Sequence, residues 1–136
     1  TVPEENIFLA PTEDTEPLNA FLHDIARRDD PPKAIINFVR GWDYTMLQAL
    51  HSAGLRVPED YSVCGFDNIF TSSIITPPLT SIDHRLWARC RSAVDQIVKQ
   101  NDQGHGADKS AVMADKIEYA PQLMIRKSTG PARTSD

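Results

Sequence analysis

The chain has 136 residues, of which 40% are hydrophobic and 24% are charged, and its net charge is -5. This composition is ordinary for one soluble globular domain, and the acidic balance argues against a chain that holds nucleic acid by itself. Two distant cysteines exclude a disulfide framework or a zinc site and fit a reducing, cytoplasmic setting, and no apolar run approaches a membrane span. Because the sequence starts at Thr1 without an initiator methionine, we expect a piece of a longer protein.

A strand and a helix are predicted first. Residues 7–10 form a short apolar run ended by Pro11, which predicts a first strand. Capping side chains at residues 12–15 and Pro17 in the first turn predict a helix to about Arg28. Its apolar face has the spacing of a helix packed on a sheet and comprises Leu18, Phe21, Leu22 and Ile25.

Two further strands are predicted around a second helix. Residues 34–39 read as a strand. A helix follows a turn and runs through Ala53, where Gly54 is placed to stop it, and its predicted inward face comprises Met46, Leu47, Leu50 and Ala53. Residues 61–66 carry almost no charge and predict a strand buried on both faces. This alternation predicts an α/β fold with a mostly parallel sheet flanked by helices. The strand ends near Ala10, Val39 and Asp67 then share one edge of the sheet, where open α/β sheets bind ligands.

The second half contains one clear helix and two short extended segments. The helix is predicted over residues 85–100, and its apolar stripe is broad: Leu86, Trp87, Cys90, Ala93, Val94, Ile97 and Val98. Such a stripe must fold back onto the same domain, meet another chain or stay exposed. Residues 101–109 predict a loop, residues 117–120 and 122–126 are extended candidates split by Pro121, and residues 132–136 predict a tail.

Four spaced segments carry a resemblance to a known family. They are GLRVPED at residues 54–60, SVCGFDN at 62–68, PPLT at 77–80 and RKSTGP at 126–131. In this order they resemble the effector-binding core of the LacI/GalR family of bacterial transcription regulators, and the resemblance runs from about Lys33 to Pro131. It implies the C-terminal lobe of a type I periplasmic-binding-protein-like fold. We therefore expect one effector-binding and dimerisation lobe over residues 1–131, with helix 85–100 belonging to a second lobe whose remainder is missing from this sequence.

Asp67 is the leading candidate for ligand binding. A carboxylate at the mouth of a buried strand can accept two hydrogen bonds from vicinal hydroxyls or an amine. By the resemblance, its position matches an aspartate that contacts effector in several family members, which implies a sugar- or nucleoside-like effector. The alternative is that Asp67 only caps the loop that follows it.

Arg40 and Trp42 are further ligand-binding candidates beyond the second strand. The family usually carries an Asn-Asp pair where this sequence has Val39 and Arg40. An arginine there can bind a carboxylate or phosphate, and Trp42 can stack on a ring. The alternative is a surface arginine and a tryptophan that packs on the helix. Leu86 is a second departure, since some relatives place an aromatic residue against the effector at this position.

Tyr44, Ile74 and Ile75 are predicted to form a dimer interface. An Ile-Ile pair in a polar loop ahead of Pro77 is unfavourable in water, and the family forms homodimers through the matching surface. The alternative is that both isoleucines tuck under their own loop.

The resemblance implies the effector-binding and dimerisation fragment of a LacI-type regulator. In that family a small molecule biases two arrangements of the dimer, and an N-terminal helix-turn-helix headpiece, which this sequence lacks, binds operator DNA. The alternative is a fragment of a periplasmic-type sugar-binding transport receptor, which shares the architecture. No enzyme, metal or cofactor is predicted, because nucleophile elbows, phosphate-binding loops and metal-ligand spacings of histidine and cysteine are not found in the sequence.

Overall fold

A computed structural model describes residues 2–9, 14–39, 41–102 and 116–131 of the chain. Its helices and strands follow the order α1 (Glu16–Ala26), β1 (Ala34–Ile36), α2 (Asp43–Ser52), β2 (Ser62–Phe66), β3 (Thr80–Asp83), α3 (Leu86–Asp102) and β4 (Gln122–Met124). Short 3-10 turns lie at Glu4–Asn6 and Phe70–Ser73.

The strands form one sheet in the order β1-β2-β3-β4. Strands β1, β2 and β3 are mutually parallel, and β4 runs antiparallel to β3. The register places Ile35 beside Val63 and Gly65 beside Ser81. The predicted α/β fold with a mostly parallel sheet is therefore confirmed.

The core lies between one face of this sheet and helices α1 and α2. Each helix buries apolar side chains on one face, as a period of 3.6 residues requires. They pack together with Val63 of β2 and with Leu79, which directly precedes β3, and the helical members are Leu18, Leu22, Ile25, Met46, Leu47, Ala49 and Leu50. The predicted inward faces of both helices are thus largely confirmed, whereas Phe21 and Ala53 are only partly buried.

The ends of α1 and α2 have local causes. Pro17 lies in the first turn of α1, where a missing backbone N–H leaves no hydrogen bond unmade, and the Asp14 carboxylate accepts the Glu16 N–H at 3.0 Å. Helix α2 ends before Gly54, whose φ of +74° favours glycine and whose N–H donates to the His51 carbonyl. Both helices therefore end within two residues of their predicted limits.

The opposite face of the sheet is not covered by any helix among the described residues. Along β2, Val63 and Gly65 are buried, whereas the alternate residue Cys64 is half-buried. Ile36 of β1 and Leu123 of β4 are exposed. Parallel sheets normally have both faces covered, so the expectation that β2 is buried on both sides is wrong for this chain taken alone.

The predicted first strand at residues 7–10 is not observed. Residues 7–9 form no strand, and Ala10 lies outside the described residues. The Ile7 N–H donates to the Glu4 carbonyl, so it closes a turn and pairs with no neighbouring strand, and Phe8 packs on the Phe21 ring at 5.2 Å between centroids. A short apolar run becomes a strand only where a partner strand satisfies its backbone groups.

Helix α3 begins and ends close to its predicted limits but leaves its apolar face open. Trp87 is 90% exposed, and Val94, Ile97 and Val98 are also exposed. Tyr119 contacts this helix through its hydroxyl, which bonds Ser92, and its ring lies 5.7 Å from the guanidinium of Arg85, the residue before α3. Of the three outcomes expected for the stripe, exposure is the one observed in this part of the chain.

The C-terminal segment contributes one strand to the sheet. Strand β4 matches the extended candidate at residues 122–126, although it is shorter, and residues 117–120 form no strand. The predicted loop falls mostly, and the predicted tail at 132–136 entirely, outside the described residues. None of the described helices combines the length and apolarity needed to cross a bilayer.

Candidate functional site

The carboxyl ends of β1, β2 and β3 meet at one edge of the sheet because the three strands are parallel. Phe38 follows β1, Asp67 follows β2 and His84 follows β3. The predicted edge therefore exists, with the difference that its third strand is β3 rather than a strand at residues 7–10.

Three rings form a row along this edge. The centroids of Phe38 and Phe66 lie 5.0 Å apart, and those of Phe66 and His84 lie 4.4 Å apart with the rings edge to face. Both separations are within the range of attractive aromatic pairs. Phe38 is largely exposed, so the row offers an apolar surface to a ligand at the edge.

Asp67 lies beside the His84 end of this row. Its side chain is 41% exposed, and its Oδ1 lies 3.9 Å from His84 Nε2, which is too long for a hydrogen bond. His84 Nε2 is buried and has no hydrogen-bond partner among the described residues. The described contacts of Asp67 include no capping bond to the loop, so the carboxylate is available to a ligand.

The backbone at Asp67 and Asn68 takes an unusual conformation. Asp67 has φ of +71° and Asn68 has φ of +44°, a left-handed region that residues with a Cβ adopt infrequently, although Asp and Asn are enriched there. The Asn68 N–H donates to Ser81 Oγ at 3.0 Å, and its side-chain Nδ2 donates to Asp83 Oδ2 at 3.1 Å. Hydrogen bonds from the Arg85 backbone and from Asn68 lower the pKa of Asp83, so this carboxylate stays ionised and keeps the turn anchored.

A buried polar pair supports the loop between β1 and α2. Asn37 Nδ2 donates to Asp43 Oδ1 at 2.7 Å, and both side chains are buried. Asn37 also exchanges hydrogen bonds with the backbone of Val39, which turns the chain and ends β1 earlier than predicted. Burial raises the pKa of the Asp43 carboxyl, the bond from Asn37 opposes this, and the charge of Asp67 adds to the rise.

The other predicted site residues are dispersed. Arg40 lies outside the described residues, and Trp42 is partly buried against the core. Tyr44 and Ile74 are 60% and 62% exposed, and Ile75 packs partly against the core. No hydrogen bond, ion pair or ring contact joins any two of the described members of this set, so their roles remain predictions.

The edge that carries Asp67 coincides with neither of two surface grooves of the structure. Two surface grooves lie elsewhere: one between α1 and α2 is lined by His23 and Gln48, and one beside the end of α2 is lined by His51 and Arg56. Neither groove includes Asp67.

Sequence reasoning located Asp67 but missed its neighbours. His84 and Asn68 were not assigned roles, and neither were the buried pair of Asn37 and Asp43. One signal was present in the sequence, because Asn37 is a polar residue inside an otherwise apolar predicted strand. Such a residue needs a buried partner, although the sequence does not say which one.

Comparisons with known proteins identify the family of this chain. The family described as periplasmic binding protein-like domain matches residues 4–129, further toward the N-terminus than the resemblance we described. A protein named HTH-type transcriptional repressor PurR from Actinobacillus pleuropneumoniae is 32% identical over 120 residues, which are 85% of this chain and 34% of that protein. Its namesake from Glaesserella parasuis is 29% identical over 107 residues, covering 79% of this chain and 32% of that protein.

Solved structures show the same fold. A LacI family transcriptional regulator from Arthrobacter sp. FB24 in complex with lactose superposes with a TM-score of 0.66 at 27% identity, covering 85% of this chain and 40% of that chain. A LacI family regulator from Enterococcus faecium with bound ribose gives a TM-score of 0.68 at 21% identity, covering 85% and 39%. This chain thus spans about a third of the length of the curated relatives it matches. It belongs to the periplasmic binding protein-like domain family and shares the fold of the LacI family regulator that contains lactose.

Proposed function

We propose that this chain is the effector-binding and dimerisation part of a LacI-type transcriptional regulator, and that Asp67 binds the effector. The observation that carries the proposal is the position of Asp67: a partly exposed carboxylate at the carboxyl edge of a parallel sheet, next to the ring of His84. The relatives named as transcriptional repressors support a regulatory role over the transport-receptor alternative and over a catalytic one.

The chemistry of the edge suits a ring that carries hydroxyl or amino groups. The Asp67 carboxylate can accept hydrogen bonds from two neighbouring donors, and charged acceptors make the stronger bonds. The row of Phe38, Phe66 and His84 can cover the apolar face of a sugar or base. Two neighbouring structures contain ribose and lactose, which supports a sugar- or nucleoside-like effector here.

The second wall of the cleft would come from another lobe. Residues 1–131 would form one lobe, and the open apolar face of α3 would pack within the second, as the resemblance implies. An effector between the lobes would favour one of two dimer arrangements, which a helix-turn-helix headpiece reads on operator DNA in the cytoplasm. With a net charge of -5, this chain itself would not hold DNA.

Calorimetry on a two-lobe regulator that contains this chain tests the role of Asp67. The panel comprises D-ribose, lactose and purine bases. Asp67→Ala should lower the affinity for the panel compound that binds by about tenfold to hundredfold, since one hydrogen bond to a charged group contributes about 1.5–3 kcal/mol. Asp30→Ala is the matched control, because Asp30 is an exposed carboxylate before β1, at the other end of the strands. Equal affinity of Asp67→Ala and the unmodified protein would remove Asp67 from the site.

The proposed homodimer would use Tyr44, Ile74 and Ile75. Two of these are more than half exposed, and Phe70 in the neighbouring 3-10 turn is exposed as well, so an apolar surface is open to a second copy. Light scattering should give a dimer for the unmodified chain and a monomer for Ile74→Asp. Ile97→Asp, at an equally exposed isoleucine on α3, should stay dimeric. An unmodified chain that stays monomeric at high concentration contradicts this surface.

A further inference from the structure

The turn that carries Asp67 is held by contacts from outside its own segment. Asp67 and Asn68 both have positive φ, and a residue with a Cβ occupies that region less favourably than glycine does. Two consecutive residues in this region persist only where surrounding contacts hold them. The contacts that do so define how the candidate carboxylate is positioned.

The backbone N–H of Asn68 and both polar atoms of its side chain take part in hydrogen bonds. Its N–H donates to Ser81 Oγ at 3.0 Å, and its Nδ2 donates to Asp83 Oδ2 at 3.1 Å. Its Oδ1 accepts a hydrogen bond of 2.7 Å from the guanidinium of Arg126, which lies 58 residues further along the chain. Two of the three partners lie on β3, and Arg126 is the only one from the segment after β4.

Arg126 is itself held in place on β3. Its second guanidinium nitrogen donates to the Leu79 carbonyl at 2.6 Å, and its backbone N–H donates to Thr80 Oγ1 at 2.9 Å. The planar fork of the guanidinium thus spans the start of β3 and the turn after β2. A lysine in this position has no such pair of fixed donors.

The charges on either side select one orientation of the Asn68 amide. Its oxygen faces the Arg126 cation and its nitrogen faces the Asp83 carboxylate. Rotating the amide by half a turn would place two donors together at Arg126 and two acceptors together at Asp83. Both bonds are charge-assisted and polarise each other through the amide. These bonds therefore hold the Asn68 side chain in one orientation, and this restricts the backbone of Asp67 directly before it.

We propose that Arg126 is a positioning residue of the effector site, which acts through Asn68 to hold Asp67 in its left-handed conformation at the mouth of the cleft. This inference rests on the proposed function of Asp67. By this inference, the segment after β4 helps to form the site although it is distant in sequence from the edge.

Amide hydrogen exchange of the labelled 136-residue chain tests the inference without any ligand. In Arg126→Met, exchange of the Asn68 N–H should be about tenfold to hundredfold faster, while the Leu55 N–H at the end of α2 is unchanged. Lys127→Met is the matched control, because Lys127 is the adjacent exposed cation, and it should leave both rates unchanged. An Asn68 rate that Arg126→Met leaves unchanged overturns the inference.

A double-mutant cycle separates a positioning role from a general loss of stability. Asn68→Gly accepts a positive φ without a Cβ and has no side chain for Arg126 to bind. In the Asn68→Gly background, Arg126→Met should therefore have little effect on the exchange rate of the residue 68 N–H. An effect as large as in the unmodified chain would show that Arg126 acts through Leu79 alone and would overturn the inference. If Arg126→Met does not fold, Arg126→Lys replaces it with the same readouts.

D-ribose serves as the probe for the consequence at the site. In a two-lobe regulator that contains the chain, Arg126→Met should lower the affinity for ribose about tenfold, and Lys127→Met should leave it unchanged. If ribose binds the unmodified regulator and Arg126→Met binds it equally well, the positioning role is refuted. If ribose binds no variant, including the unmodified one, ribose is removed as an example of the proposed effector, and the exchange rates alone decide the role of Arg126.

Discussion

Gly65→Ala is expected to destabilise the fold because the site has no room for a methyl group. A Cβ at Gly65 would lie 2.5 Å from Leu79 Cδ2 and 2.8 Å from Asp43 Oδ1, both closer than real Cβ contacts. Gly65 lies in the penultimate position of β2, under the start of α2 and two residues before Asp67. The backbone there is an ordinary strand, so the effect depends on space and not on φ.

The size of the effect follows from how little the neighbours can move. Leu79 is fully buried in the core, and Asp43 is buried and tied to Asn37, so neither side chain can rotate into solvent. Inserting a methyl group into such packing costs about 1–3 kcal/mol. For a chain of this length, a melting temperature lower by about 4–12 °C corresponds to that loss.

Urea denaturation followed by circular dichroism measures this change, with Gly130→Ala as the control. A Cβ at Gly130 would lie 3.5 Å from Pro58, which is an ordinary van der Waals contact, so its free energy of unfolding should change by less than about 0.5 kcal/mol. If Gly65→Ala unfolds at the same urea concentration as the unmodified chain, Leu79 and Asp43 do not pack against Gly65 as closely as described.

Two further predictions concern buried polar groups. Ser128→Ala should destabilise the chain by about 1–3 kcal/mol in urea denaturation, because the buried Ser128 hydroxyl accepts the Thr80 N–H at 2.8 Å and donates to the Val63 carbonyl at 2.6 Å. Ser73→Ala, at an exposed hydroxyl, is its control, and equal losses in the two variants would contradict the assignment. Asp43→Asn should stabilise the chain at neutral pH, because burial raises the pKa of Asp43, so the folded state disfavours the ionised carboxylate. The advantage over the unmodified chain should be absent below about pH 4, grow as the pH rises from the ordinary aspartate value through the raised one, and then level off; an advantage that is independent of pH would refute this origin.

Local patterns were sufficient to predict the helices. The spacing of Leu18, Leu22 and Ile25 predicted which face of α1 is buried, and Gly54 predicted the end of α2. These features depend on residues within one or two turns of each other. Residues 7–9 show the limit of this reasoning, because an apolar run of that length becomes a strand only beside a partner, and no local signal reveals whether one exists.

The predicted sheet edge was partly correct. Asp67 could be placed there from the sequence because a polar residue that ends a buried strand in a parallel sheet must emerge at its carboxyl edge. Its neighbours could not be placed. The ring of His84 reaches Phe66 because β3 lies beside β2. The residues of a strand do not by themselves determine which strand lies beside it.

The sequence by itself determined the α/β pattern, the family to which the chain belongs and the position of one carboxylate at the end of β2. The α/β pattern and the carboxylate follow from periodicity and from residues close together in the chain, and the family follows from four short motifs and their order along it. Only the tertiary structure decided that Arg126 meets Asn68, that Asn37 meets Asp43, and that no helix among the described residues covers one face of the sheet. A polar side chain can pair with any complementary group that the fold brings within hydrogen-bond distance, so its partner is determined only when distant segments of the chain are packed together.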